Sequence, residues 1–184
     1  QPSGQTCSVS TGAGTVSGGN VTTVAVVCSA NTYTVGGTVS GLTGSVALQN
    51  NSGDNLTVSA NGSFIFATAV ASGSPYSVSV LTAPAGQNCS ITNGTGTISA
   101  NVTNVSVTCA SNTYTVGGTV SGLSGTVVLQ NNGGNNLNVA ANGGFTFSTA
   151  LNNSATYAVT VLTQPAGQNC IVTNGSGTVA AGNV

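Results

Sequence analysis

The sequence has no lysine, arginine, histidine, glutamate, tryptophan or methionine, and Asp54 is its one formally charged side chain. An ordinary soluble domain is about 25% charged; this chain is 1% charged. Each absence removes a class of function. Nucleic-acid binding needs cations that displace counterions from phosphate, and none exist here. General acid–base catalysis needs positioned imidazole, carboxylate or amine groups, and one Asp cannot supply a pair. Without His, a Ser–His–Asp triad and the histidine-containing zinc sites cannot be built. No enzyme is expected. Long apolar runs are also missing. The stretches that exist are short, such as Val24 to Cys28, against the roughly 20 residues a membrane helix requires, so a membrane-spanning helix is not expected. No basic stretch leading into an apolar run opens the sequence, so no signal peptide is expected within these residues.

Small polar residues fill the space. The chain holds 28 Thr, 23 Ser, 22 Asn and 27 Gly, together 100 of 184 positions. Disordered chains combine low hydrophobicity with high net charge. Here mean hydropathy is +0.30 and net charge is −1, so an ordered fold is expected. A surface with so little charge has almost no electrostatic repulsion, and neutrality favours association. Either something covers this surface or self-association is its normal state.

The chain is also repetitive. Tyr33-Thr-Val-Gly-Gly-Thr-Val-Ser-Gly-Leu42 recurs unchanged as Tyr114 to Leu123, an offset of 81 residues. Between 33–99 and 114–180 there are 43 identities in 67 positions without a gap. Gln1-Pro-Ser-Gly-Gln-Thr-Cys7 matches Ala83-Pro-Ala-Gly-Gln-Asn-Cys89 and Gln164-Pro-Ala-Gly-Gln-Asn-Cys170. The organisation expected is the C-terminal part of one repeat (1–32), a complete repeat (33–113), and the N-terminal and central part of the next (114–184), as in a window on a longer array. A period of 81 is too long for a solenoid coil and suits successive domains.

Alternation within the repeat predicts strands. Tyr33, Val35, Gly37 and Val39 share a face; Val46 and Leu48, then Leu56 and Val58, follow; Asn61-Gly62 reads as a hairpin turn. Phe64 and Phe66 point one way, Tyr76, Val78 and Val80 make the next strand, Cys89 and Ile91 another, and Val105, Val107 and Cys109 the last. Nothing has helical period, and Thr and Val favour strands. About seven short strands per repeat predict an all-β, antiparallel β-sandwich. The segment 70–75 shares no residue with 151–156, which fits an exposed connection.

A domain of about 80 residues is marginal without a covalent staple. Cys89 and Cys109 lie 20 apart, Cys7 and Cys28 lie 21 apart, and the extra residue falls in the turn. Antiparallel pairing of the two flanking strands sets Cys89 opposite Cys109 and Ile91 opposite Val107. The earlier copy then sets Cys7 opposite Cys28 and Val9 opposite Val26. Two disulfides, Cys7–Cys28 and Cys89–Cys109, are expected, and with them an oxidising compartment outside the cytosol. The alternatives are reduced thiol pairs or a metal site, the latter without third and fourth ligands nearby. Cys170 is left over. Its partner lies past Val184 if the chain is a window. Otherwise the strand Val21 to Cys28 of a neighbouring copy completes the last domain by strand addition.

Other site-like features are sparse. Asp54 lies in the oxygen-rich segment Gln49-Asn-Asn-Ser-Gly-Asp-Asn55, a weak candidate for Ca²⁺ or else an Asx-stabilised turn; its counterpart is Asn135. No other cofactor is expected. Sequons of the form Asn-x-Ser/Thr occur at Asn20, Asn50, Asn55, Asn61, Asn88, Asn93, Asn101, Asn104, Asn152 and Asn174. All but Asn88, crowded by its neighbouring cysteine, are glycosylation candidates, and covalent glycans would solubilise an uncharged surface. Gly36-Gly37 and Gly117-Gly118 have no following helix or Lys, so they mark a bulge or close packing in a strand. Tyr33 and Tyr76 read as strand ends with wet hydroxyls.

The decapeptide from Tyr33 to Leu42, with Leu48-Gln-Asn-Asn51, Ala60-Asn-Gly-Ser-Phe64 and Pro84-Ala-Gly-Gln-Asn-Cys89, resembles the tandem Ig-like repeats of bacterial secreted surface proteins, adhesins and extracellular filaments. The resemblance covers the whole chain and transfers no catalytic residue. It implies an extracellular or cell-surface structural role, with copies of the protein itself as partners. The expected function is a structural subunit of an extracellular bacterial filament, the alternative the spacer stalk of a large adhesin. Glycan or ice binding through Thr-rich faces is a third reading, and it lacks a short regular Thr spacing.

Overall fold

A computed structural model describes all residues, 1–184, and contains strands but no helix. The chain divides into two compact units: residues 1–84 with 89–109, and residues 85–88 with 110–184.

The first unit begins with a hairpin of β1 (Gln5–Ser10) and β2 (Ala25–Ala30). It continues through β3 (Thr32–Tyr33), β4 (Val35–Ser40), β5 (Val46–Asn50), β6 (Asp54–Val58), β7 (Gly62–Ile65), β8 (Val70–Ala71) and β9 (Pro75–Thr82). It ends with β10 (Gln87–Thr92), β11 (Thr95–Thr97) and β12 (Val102–Ser111). Two four-stranded sheets carry the core, in the orders β10-β12-β4-β7 and β11-β9-β5-β6, while β3 pairs with β8 as a short bridge. The inward residues alternate as the pleat requires. Val35, Val39, Phe64, Val105, Val107 and Cys109 from one sheet meet Val46, Leu48, Tyr76 and Val78 from the other in one buried cluster. Phe64 and Phe66 pack edge to face, with centroids 5.8 Å apart, the geometry ring quadrupoles favour.

The second unit repeats the plan with β13 (Thr113–Tyr114), β14 (Gly117–Val120), β15 (Val127–Asn131), β16 (Asn135–Val139), β17 (Gly143–Thr146), β18 (Leu151–Asn152), β19 (Thr156–Thr163) and β20 (Ser176–Thr178). One sheet has the order β16-β15-β19-β20; the other holds only β14 and β17. Registers match at the 81-residue offset: Leu48 faces Leu56, and Leu129 faces Leu137.

Several expectations are corrected. The sandwich is not wholly antiparallel, because β12 returns beside β4 in parallel, with Val105 beside Gly37 and Val107 beside Val39. The strands outnumber seven, since two-residue pieces such as β3 and β8 add to the two sheets. Asn61-Gly62 is not a hairpin turn: it leads from β6 in one sheet to β7 in the other. Asn61 there accepts from Leu42 N–H at 2.8 Å and donates to Leu42 O at 3.1 Å. The positive-φ hairpin turn lies instead at Asn51 (φ 49°) and Ser52 (φ 57°), between β5 and β6. The segment 70–75, expected as an exposed connection, is mostly half-buried and includes β8. Ser72 N–H donates to Asn31 O and Gly73 N–H to Ile98 O, each at 2.7 Å, so its backbone is held while its side chains vary. Tyr76 is buried, and its hydroxyl lies 3.3 Å from Asn93 O.

Candidate functional site: an open strand slot and an exposed hairpin

Cys7 is joined to Cys28 across the β1–β2 hairpin, where they are direct antiparallel partners, and Val9 faces Val26. Cys89 is joined to Cys109, linking β10 to β12. Two disulfides point to an oxidising, non-cytosolic environment. Cys170 is a half-buried free thiol; its N–H donates to Gln164 Oε1 at 2.7 Å and its carbonyl accepts from Gln164 Nε2 at 3.0 Å.

The two cross-linked hairpins differ in their surroundings. In β12, Val105, Val107 and Cys109 are buried beneath the opposing sheet. Their counterparts 81 residues earlier, Val24, Val26 and Cys28, have no opposing sheet. Val9 is 59% exposed and Val26 is 62% exposed. The face expected to point inward therefore lies in solvent, an apolar strip on strands that present backbone donors and acceptors along an open edge.

The second unit carries the complementary feature. A groove of about 690 Å³ runs between Gly117–Gly122 on one side and Gln168–Gly175 on the other. Its floor includes Val116, Val127, Leu129, Phe145, Tyr157 and Val159. Both walls are fixed. Gln168 accepts from Ser124 N–H at 2.7 Å and donates to Gly122 O at 2.9 Å, and Val159 N–H donates to Gly175 O at 2.6 Å. In the first unit the corresponding groove contains β12, between β10 and β4. Open here, it leaves Val120, Leu123, Phe145 and Tyr157 half-buried, whereas Val39, Leu42, Phe64 and Tyr76 are buried.

The glycine pair explains why a strand fits. A Cβ on Gly37 would collide with the Val105 carbonyl oxygen, so the close approach of β12 requires glycine. At Gly118 the nearest atoms to such a Cβ belong to the Phe145 ring, at 3.0 Å.

The remaining candidates are dispersed. Asp54 opens β6 rather than lying in a loop, and its Oδ2 accepts from Thr68 N–H at 2.8 Å. No group of three potential metal-binding side chains surrounds it. At the equivalent place, the buried Asn135 amide nitrogen has no hydrogen-bond partner. Of the sequons, Asn50 is 2% exposed and its Oδ1 accepts from Ser77 N–H, so a glycan has no room there. Asn61 clamps Leu42, Asn101 accepts from Thr34 N–H, Asn93 donates to Asn104 O, and Asn55 accepts from Gln49. Asn20, Asn88, Asn104, Asn152 and Asn174 are exposed. No helix is long and apolar enough to cross a membrane.

No family model matches the chain, and no curated protein matches it in sequence.

Proposed function

We propose that this protein is a non-enzymatic structural subunit of an extracellular bacterial filament, built from disulfide-stapled Ig-like repeats that associate with further copies of themselves. One observation carries the reading: an almost uncharged chain presents both an apolar, open-edged hairpin and an open groove where the first unit holds a strand. Open edges with apolar faces drive association unless charge or proline blocks it, and the hairpin strands contain neither. Covalent glycans at exposed positions such as Asn20 or Asn174 fit the same picture, because they would keep unassembled chains soluble. The adhesin-stalk alternative needs no such surfaces, since a spacer works as a single file of domains.

Electron microscopy of the purified 184-residue chain under non-reducing conditions tests the reading. Ordered filaments of constant width are expected. Only monodisperse single chains at every concentration would refute it in favour of the stalk.

A further inference from the structure

The geometry points to the occupant of the open groove: residues Thr22–Cys28 of a second copy insert as a strand between Gly117–Val120 and Gln168–Thr173, and Cys170 takes Cys28 as its disulfide partner. This rests on the filament reading above and specifies the contact that joins its copies.

The first unit supplies the template. There β12 fills the corresponding groove, parallel to β4, with its cysteine bonded to β10. Residues Asn20–Cys28 are the same stretch one repeat earlier. Val21, Val24, Val26 and Cys28 match Val102, Val105, Val107 and Cys109 without change, and these are the positions β12 turns toward the core. The receiving edge is equally matched, because Tyr114 to Leu123 repeats Tyr33 to Leu42 residue for residue. Carrying the register across places Val24 beside Gly118 and Val26 beside Val120. Val184 already starts this ladder: Gly117 N–H donates to Val184 O at 2.7 Å, and Val184 N–H donates to Thr115 O at 3.0 Å. The incoming strand continues it from Thr22. Val24, Val26 and Cys28 move from solvent against the floor formed by buried Leu129 and Val159 and half-buried Phe145, which removes apolar area on both copies from water.

The insertion has a covalent consequence. The position next to the incoming strand, filled by β1 in the donor hairpin, is already taken by Gln168–Thr173 of the receiving copy. The donor strand must therefore leave β1, to which Cys7–Cys28 ties it. The Cys170 thiolate attacks Cys28 Sγ of the second copy; the Cys28–Cys7 bond breaks, the Cys28–Cys170 bond forms, and Cys7 departs as thiolate. One disulfide is consumed and one formed, so no oxidant is needed. Each copy donates from its first unit and receives on its second, so the contact is heterologous and can link copy to copy.

The test mixes ¹⁵N-labelled and unlabelled chains, assembles them without reductant, and maps disulfides by mass spectrometry beside non-reducing gels. The expected result is a Cys28–Cys170 peptide containing one labelled and one unlabelled half, with a ladder of covalent multimers that reductant collapses. Cys170→Ser should reduce the ladder at least ten-fold. Gly118→Ala faces only a movable ring in the isolated chain, yet its Cβ meets the incoming backbone, so it should fold and fail to assemble. If Gly118→Ala does not fold, an excess of synthetic peptide spanning residues 22–30 serves instead and should cap assembly. Filaments that retain Cys7–Cys28, keep Cys170 free and ignore the peptide would overturn the strand insertion while leaving the filament reading intact. Absence of filaments from the unaltered chain would overturn the filament reading itself. Protein from its natural source with Cys170 bonded to a cysteine downstream in the same polypeptide would show the groove filled in cis, which also overturns a second-copy donor.

Discussion

Replacing both members of Cys89–Cys109 by alanine should destabilise the first unit strongly, whereas the same replacement at Cys7–Cys28 should not. The two bridges are chemically alike and close loops of nearly equal length, with sequence separations of 20 and 21. Loop-closure entropy of that size is worth about 3 kcal/mol when the loop belongs to the cooperative unit. Cys89–Cys109 qualifies, because Cys109 is buried in the core and β12 forms the middle of its sheet. For a domain of this size each kcal/mol shifts the melting temperature by about 4–8 °C, so a fall of about 12–24 °C is expected. Cys7–Cys28 ties two strands that contribute nothing to the buried clusters. Losing it should change the unfolding free energy of the core by less than about 0.5 kcal/mol, the range of ordinary surface changes. Scanning calorimetry of both double variants, at a concentration where the chain is unassembled, measures the difference. Equal losses, or a fall of only a few degrees for the Cys89/Cys109 variant, would refute the assignment of β12 and its bridge to the core.

Further outcomes follow from neighbouring positions. Phe66→Ala should cost about 3–5 kcal/mol, because the ring is 2% exposed. Ile65→Ala, on the outward face of the same strand end, should stay within about 0.5 kcal/mol; denaturant titration compares them. Asp54→Asn should lose about 1 kcal/mol with the weakened bond from Thr68 N–H, and calcium should leave the melting temperature of the unaltered chain in place. The reverse change, Asn135→Asp, removes a buried amide nitrogen without a partner and should stabilise the second unit by about 1 kcal/mol; a thermal melt that falls instead would contradict this. Glycopeptide mapping should find Asn50 unmodified, since its side chain is internal to the sandwich.

Much of the fold is legible in the residues. Period-two alternation marks Val35 and Val39, Val46 and Leu48, and Val105 and Val107 as inward positions, and they are buried. The rest depends on long-range pairing that local pattern does not encode. Asn61-Gly62 carries a hairpin signal, but the amide of Asn61 is taken by Leu42, 19 residues away, and the chain crosses to the other sheet. The parallel pairing of β12 with β4 joins residues 67 and 68 positions apart, and only the Gly36-Gly37 pair hints that a backbone comes close. Asp54 reads as a loop residue because its surroundings are Asn and Gly; its partner, Thr68 N–H, lies 14 residues on. The groove could be read only in part. Cys170 without a partner was the signal in the sequence, and the wall from Gly117 to Gly122 emerges once β4 is seen with β12 beside it.

The most direct measurement is a cryo-EM map of filaments grown from the 184-residue chain. Continuous density is expected for a strand between Gly117–Val120 and Gln168–Thr173, traceable as Thr22–Cys28 of the adjoining copy and joined at Cys170. A map in which that groove stays empty, with copies meeting through other surfaces, would contradict it.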